Sequence, residues 1–149
     1  MLIRKWTSLD NKQIEELERV CFAYPWTYEM ICETQAHPLF CGFVANDSNG
    51  SVIGYVGAIY FDTQADIALV AVHPSSRRQG IAQSLINRLI EALFNSGVTE
   101  VFLEVRVTNE SAKNLYLKLG FKPVGIRKNY YENTEDAIVM KKVLSVEQK

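Results

Sequence analysis

Glu104 stands inside an otherwise apolar run, Val101-Phe102-Leu103-Glu104-Val105. A carboxylate there is costly to bury unless it is hydrogen-bonded or put to use. On strand alternation Val101, Leu103 and Val105 share one face, and Phe102, Glu104 and Arg106 the other. That spacing suits a half-exposed carboxylate beside Arg106 as well as it suits a general base. A second chemistry lies upstream, in Val70-Ala71-Val72-His73-Pro74-Ser75-Ser76-Arg77-Arg78-Gln79-Gly80-Ile81-Ala82. Pro74 has no N–H and forbids continuation of the strand that ends at Val72. The turn then opens an amphipathic helix, where unpaired backbone N–H groups and the helix dipole attract anions. Gly80 removes a side chain where a phosphate would approach, and Arg77 and Arg78 can add charge-assisted hydrogen bonds. An ordinary solvated strand-to-helix turn with two surface arginines is the commoner use of such a stretch. It is neither a Walker A loop nor a GxGxxG fingerprint, since no Gly-Lys-Ser/Thr occurs and Gly80 is its only glycine. Asn109, after Thr108, suits a helix N-cap. Tyr116 falls on the apolar stripe of the same helix, where packing is the default role. His73, beside Pro74, reads as a turn residue.

The elements that must hold these residues follow from periodicity. Leu2–Lys5 predicts a short strand. Asp10 or Asn11 caps a helix with Ile14, Leu17, Val20 and Cys21 at helical spacing. Tyr24-Pro25-Trp26 breaks it, and a short helix follows from Tyr28. Phe40–Asn46 and Ser51–Phe61 flank the turn Asp47-Ser48-Asn49-Gly50 and predict a hairpin. Ile67–Val72 is an unbroken apolar run that suits a buried strand. Gly80–Ser96 is the clearest helix, with Ile81, Leu85, Leu89 and Leu93 on one stripe and Gly97 as its stop. Val101–Val105 predicts a strand and Asn109–Leu119 a helix ended by Gly120. Phe121–Ile126 and Ala137–Leu144 are two further strands, joined by a polar loop over Arg127–Asp136, and the tail Ser145–Lys149 frays. The order β-α-α-β-β-β-α-β-α-β-β predicts an α/β fold of the α+β kind, a mixed sheet with helices packed on it, as one domain over residues 1–149.

Composition narrows the function classes. The 149 residues suit one domain on a prior of about 100–200 residues. With 48% hydrophobic and 22% charged residues the chain can build a core, which excludes a disordered polymer. Lys plus Arg total 16 against 17 for Asp plus Glu, so no broad basic field exists for direct nucleic-acid binding. Cys21, Cys32 and Cys41 match no zinc-ligand spacing, and His37 and His73 are too few for a His-rich site, so no metal is expected. No apolar run approaches the ~20 residues of a membrane span, and no signal-like N-terminus is evident. A cytoplasmic protein is expected, with its three thiols free and serving as small buried hydrophobes.

Arg77-Arg78-Gln79-Gly80-Ile81-Ala82 fits the R/Q-x-x-G-x-G/A motif of the GNAT superfamily of N-acetyltransferases, with Ala82 in place of the commoner glycine. The order of elements resembles that family's fold over nearly the whole chain. More narrowly, Tyr24-Pro25-Trp26, Leu103-Glu104-Val105-Arg106, Asn109, Leu115-Tyr116, Leu119-Gly120-Phe121 and Arg127-Lys128-Asn129-Tyr130-Tyr131 with Glu135-Asp136-Ala137 resemble the RimI-type ribosomal-protein-alanine N-acetyltransferases. The resemblance implies acetyl-CoA as cosubstrate and the N-terminal α-amine of a protein as acceptor, a ribosomal small-subunit protein beginning with alanine. It implies Glu104 as general base and Tyr116 as general acid. Coenzyme contacts are implied at Val70, Ala71 and Val72, at Arg77, Arg78, Gln79, Gly80, Ile81, Ala82 and Gln83, and at Asn109. Tyr24, Trp26, Tyr130 and Tyr131 would wall the peptide groove. A monomer or weak dimer is expected.

Such chemistry needs a base and an acid. An amine must be neutral to attack a thioester. At pH 7 an α-amine of pKa about 7.8 is roughly 14% neutral, and a lysine of pKa about 10.4 only about 0.04%. Deprotonation therefore costs about 1 kcal/mol for the first and about 4.6 kcal/mol for the second, and one carboxylate manages the easier case. The departing thiolate benefits from a proton, which a tyrosine hydroxyl can donate. Glu132, Glu135 and Asp136 make the Arg127–Asp136 segment acidic, which suits a cationic amine or equally a solvated loop. Two other readings stay open: the same fold acting on a small-molecule amine or a lysine side chain, and a non-catalytic coenzyme-binding module.

Overall fold

The structure is a computed structural model, and residues 1–145 are described. The expected fraying of the tail concerns, beyond Ser145, positions outside the described residues. Strands β1 (Leu2–Lys5), β2 (Phe40–Asn46), β3 (Val52–Phe61), β4 (Gln64–Val72), β5 (Glu100–Arg106), β6 (Lys122–Tyr131) and β7 (Glu135–Val143) form one sheet in the order β1-β2-β3-β4-β5-β7-β6. Every neighbouring pair is antiparallel except β4 and β5. A parallel pair requires a crossover, and helix α3 (Ile81–Asn95) supplies it.

Both faces of the sheet are covered. The stripe Leu85, Ile86, Leu89 and Leu93 of α3 is fully buried against one face, with Val56, Ala58, Val101 and Leu103. Truncating one such leucine to alanine typically costs about 2–5 kcal/mol. Helices α1 (Asn11–Cys21) and α2 (Tyr28–Gln35) bury Ile14, Leu17 and Ile31 on the opposite face, with Trp6, Val44 and Tyr55. Val44 and Tyr55 alternate with Phe43 and Val56 of the first cluster, as strand geometry requires. Helix α4 (Glu110–Lys118) follows β5 and contributes Tyr116, edge-on to Phe121, to the α3 cluster.

Strand β4 changes sides midway. Its register with β3 skips at Ala68, since Ala58 pairs with Ile67 and Gly57 with Leu69. Ala65 and Ile67 therefore pack with the α3 cluster, whereas Leu69 and Ala71 pack with α1 and α2. A bulge bends its strand and increases the local twist. Pairing of β4 with β5 stops at Asp66 opposite Phe102, and Ile67–Val72 have β3 on one side and an open edge on the other.

Two expected elements are corrected. Strand β4 begins at Gln64, not Ile67, because Gln64 and Asp66 are exposed residues alternating with buried Ala65 and Ile67. A search for an unbroken apolar run stops short of them. The segment Arg127–Asp136 is mostly strand, not loop. Its turn is confined to Glu132–Thr134, with Glu132 and Asn133 at φ 48° and 58° and Thr134 N–H donating to Tyr131 O at 3.0 Å. Strand β6 is an edge strand, exposed along nearly all its length, so its polar residues need no burial. Tyr130 and Tyr131 thus stand on a strand. The three cysteines are free, as expected, but half-buried rather than buried.

Candidate active site

The open edge of β4 leads directly into the basic turn. His73 N–H donates to Ile53 O at 2.8 Å, and the β3–β4 ladder alternates from there. On that alternation Val70 and Val72 direct their backbone groups to the open side. Val72 O is occupied by the turn itself: Arg77 Nε donates to it at 2.9 Å, and the Cys21 thiol lies 3.6 Å away. His73 is the turn residue its sequence suggested, its Nδ1 accepting from Ser75 N–H at 3.1 Å. Arg78 and Gly80 both adopt positive φ, 63° and 77°. A Cβ at Gly80 would meet nothing within 4 Å, so the space above the turn is clear. No side chain caps α3, and the N–H groups of Gln79, Gly80, Ile81, Ala82 and Gln83 find no acceptor among the described residues. The turn therefore presents a row of free donors on the positive end of a helix, the arrangement that binds phosphate.

Across the gap, Glu104 of β5 lies on the face that α1 and α2 leave open. It is half-buried, and Arg127 Nε of β6 stands 3.4 Å from its Oε1. Burial raises its proton affinity above the ordinary carboxylate range, Arg127 opposes this, and Asp66 adds to it. Asp66 belongs to the same face, since it pairs with Phe102. Its own carboxyl is raised by desolvation, against the pull of Arg127. Asp66 was not singled out from sequence, and Arg127 only as part of a quoted motif, with no role of its own. The signal for Asp66 was its place on the polar phase of a strand that the apolar-run criterion truncated.

Tyr116 is buried, and loss of water pushes its hydroxyl up to about 12. That hydroxyl has no hydrogen-bond partner among the described residues, yet no enclosed polar side-chain atom there is left unsatisfied. The oxygen must therefore keep an opening to the outside while its ring stays in the core. Glu104 and Tyr116 do not touch; Tyr131, itself pushed up to about 12 mainly by burial, feels both. Asn109 is the N-cap of α4, its Oδ1 accepting from Ala112 N–H at 3.1 Å.

The four aromatic residues divide into two pairs. Tyr130 and Tyr131 meet edge-on at 5.0 Å, with Arg127 over the first ring and Arg106 over the second. Tyr24 is exposed, and Trp26 packs against the α1–α2 core cluster. No hydrogen bond or ring contact joins the two pairs. The acidity expected of the Arg127–Asp136 segment is spent internally. Arg106 pairs with Glu132 at 2.8 Å and Glu135 at 3.1 Å, and Asp136 accepts from Asn129 N–H and faces Lys128 at 3.6 Å. These carboxylates lock the β6–β7 hairpin and offer little free charge to a ligand.

One buried carboxylate escaped the sequence reading. Glu18 of α1 is 2% exposed and receives the Trp26 N–H at 2.9 Å and the Tyr55 hydroxyl. It pins the segment after α1 to the sheet. Desolvation raises its proton affinity. Its position four residues after Ile14, on the apolar stripe, was the available signal.

Comparison with known proteins agrees with this geometry. The model of the Acetyltransferase (GNAT) family matches residues 7–121. The chain is 34% identical over 127 residues to the [ribosomal protein bS18]-alanine N-acetyltransferase of Escherichia coli, covering 83% of this chain and 84% of that one. It superposes with a TM-score of 0.90 and 30% identity on the crystal structure of the ribosomal-protein-S18-alanine N-acetyltransferase from Escherichia coli, over 97% and 94% of the two chains. Ard1 from Thermoplasma volcanium gives 0.89 and 26%, with 97% of each chain covered. A splayed pair of parallel strands, an uncapped basic turn and a match over most of the chain lead to one assignment: the protein belongs to the acetyltransferase (GNAT) family.

Proposed function

We propose that the protein transfers the acetyl group of acetyl-CoA to the N-terminal α-amine of a ribosomal protein beginning with alanine. The observation that carries this reading is Glu104, a half-buried carboxylate of raised proton affinity on the open face beside the β4–β5 gap. The likeness to the bS18-alanine acetyltransferase of Escherichia coli supports it. The coenzyme fits the residues present: the pyrophosphate suits the free N–H groups of Gln79–Gln83 and the clear space at Gly80, and the thioester arm suits the open edge of Val70–Val72.

In this reading Glu104 takes the proton of the α-ammonium, directly or through water, and frees the nitrogen lone pair. The nitrogen attacks the thioester carbonyl, and the Val72 N–H on the open edge stabilises the oxyanion. Collapse breaks the C–S bond, and Tyr116, protonated throughout the neutral range, hands its proton to the thiolate. Arg77 braces the turn through Val72 O, and Asn109 fixes the start of α4 beside it. Tyr24, Trp26, Tyr130 and Tyr131 flank the acceptor peptide.

Peptides that begin with alanine, with free and with blocked N-termini and an internal lysine, decide the acceptor. Acetylation of the free peptide alone, read by mass spectrometry, is the expected result; equal acetylation of both rejects the α-amine. The coenzyme half has its own test. Gly80→Ala places a side chain at φ 77° in the cleared space. It should cost about 1 kcal/mol of stability and weaken coenzyme binding about tenfold by calorimetry.

A further inference from the structure

Charged side chains from three different strands share the open face: Glu104 of β5 and Arg127 of β6 are in contact, and Asp66 of β4 stands on the same face, opposite Phe102. Arg127 reaches across β7, where Ala137 is its pairing partner, to stand 3.4 Å from Glu104. Ala137 is fully buried and small, which clears the way for the guanidinium to cross the strand. The Arg127 guanidinium also lies over the Tyr130 ring, its carbon 5.3 Å from the centroid, so the same group that faces Glu104 is held by a second contact. Asp66 has no hydrogen bond or ion pair among the described residues. Arg127 is thus paired with Glu104, and its charge also reaches Asp66 through space.

The other ionisable groups around Glu104 are already accounted for. Arg106, on the same strand face, is held by Glu132 and Glu135. Tyr131 from the β6–β7 hairpin and Tyr116 from α4 are neutral in the working range. β7 places the apolar Val139 opposite Glu104. Charge control of Glu104 therefore falls to Asp66 and Arg127, acting with opposite sign.

We propose that Arg127 and Asp66 are opposing positioning residues for Glu104: the guanidinium keeps the base ionised and oriented toward the open face, and the second carboxylate restores its appetite for a proton. The meaning for catalysis rests on the assignment of Glu104 as base; the charge coupling itself does not. Removing the cation makes Glu104 hold its proton to higher pH, and removing the like charge makes it release the proton at lower pH. Proton transfer is most effective when the base is ionised yet still basic, and this pair sets that balance.

The coupling is read by NMR titration of isotope-labelled glutamate carboxyls, with Glu104 assigned by its absence in Glu104→Gln. The Glu104 midpoint should rise in Arg127→Gln, fall in Asp66→Asn, and return toward wild type in Arg127→Lys. An unmoved midpoint in either of the first two, or movement in the same direction in both, overturns the proposal. Both positions are exposed, so folding is preserved, and matching melting curves check this. On the Ala-peptide, kcat/KM of Arg127→Gln at pH 6 should fall roughly two- to fivefold relative to wild type, as for one exposed ion pair. If wild type acetylates no peptide, the acceptor reading fails and the titration still decides the charge coupling.

Discussion

Replacing Glu104 with glutamine is expected to lower turnover on an Ala-peptide about a hundred- to a thousandfold at pH 7, with coenzyme affinity unchanged. Glutamine keeps the shape and can still accept from Arg127, but it takes no proton. The open edge Val70–Val72 and the turn Arg77–Ala82, where the coenzyme is proposed to bind, belong to other elements and feel no change. Steady-state kinetics with calorimetry separates the two effects. The pH dependence carries the sign. Burial raises the Glu104 proton affinity, so the base is lost as pH falls through a value above the usual carboxylate range. Wild type should therefore lose kcat on the acid side at a higher pH than an exposed glutamate would give, and the glutamine variant should lack that limb. Unaltered turnover in Glu104→Gln would remove Glu104 from the mechanism.

Tyr116→Phe is expected to cut kcat about a hundredfold while leaving stability nearly intact. The ring's edge contact with Phe121, at 5.9 Å between centroids, survives the change. Only the hydroxyl is lost, and it has no partner among the described residues to leave unsatisfied. A hydroxyl titrating at about 12 stays protonated across the assay range, so wild type should show no alkaline loss of the donor below pH 10 or so. The thioester of an aromatic thiol offers a sharper check, because its thiolate departs without a proton. The penalty of Tyr116→Phe should shrink with that substrate. A full penalty with both thioesters would mean that the hydroxyl acts otherwise than by protonating the thiolate, and no penalty with either would leave Tyr116 a packing residue.

The two variants probe parts of the site that differ in how far they could be read in advance. The turn was legible because its signals are local. Pro74 stops a strand, Gly80 permits φ 77°, and the stripe of Ile81, Leu85, Leu89 and Leu93 fixes where α3 begins. Strand alternation placed Glu104 opposite Val101, Leu103 and Val105, and β5 keeps that phase. Asn109 caps α4 as its position suggested. Helix starts and strand faces are decided within a few residues of the backbone, so their causes lie in the chain itself.

Other features depend on partners far away in the chain. The face switch of β4 arises at Ala68 only because β3 pairs around it, and the β4–β5 gap opens as a result. The acidic residues near Asp136 looked available to a ligand, yet Arg106 from β5 and Lys128 consume them. Tyr130 and Tyr131 became strand residues because an edge strand tolerates polar neighbours that would end a buried one. Glu18 could be recognised as an anchor only once Tyr55 and the Trp26 N–H met it.

The amino-acid sequence by itself determined the elements, their order, the phosphate-type turn and the family that turn resembles. Tertiary structure alone decided which charges face one another. It set Asp66, Glu104 and Arg127 from β4, β5 and β6 on one face, with Arg127 against Glu104, and it left Val70–Val72 without a strand partner on one side. The physical reason is range. Backbone preferences act over a few bonds, whereas charge balance and unpaired edges are set by whichever strands the sheet makes neighbours.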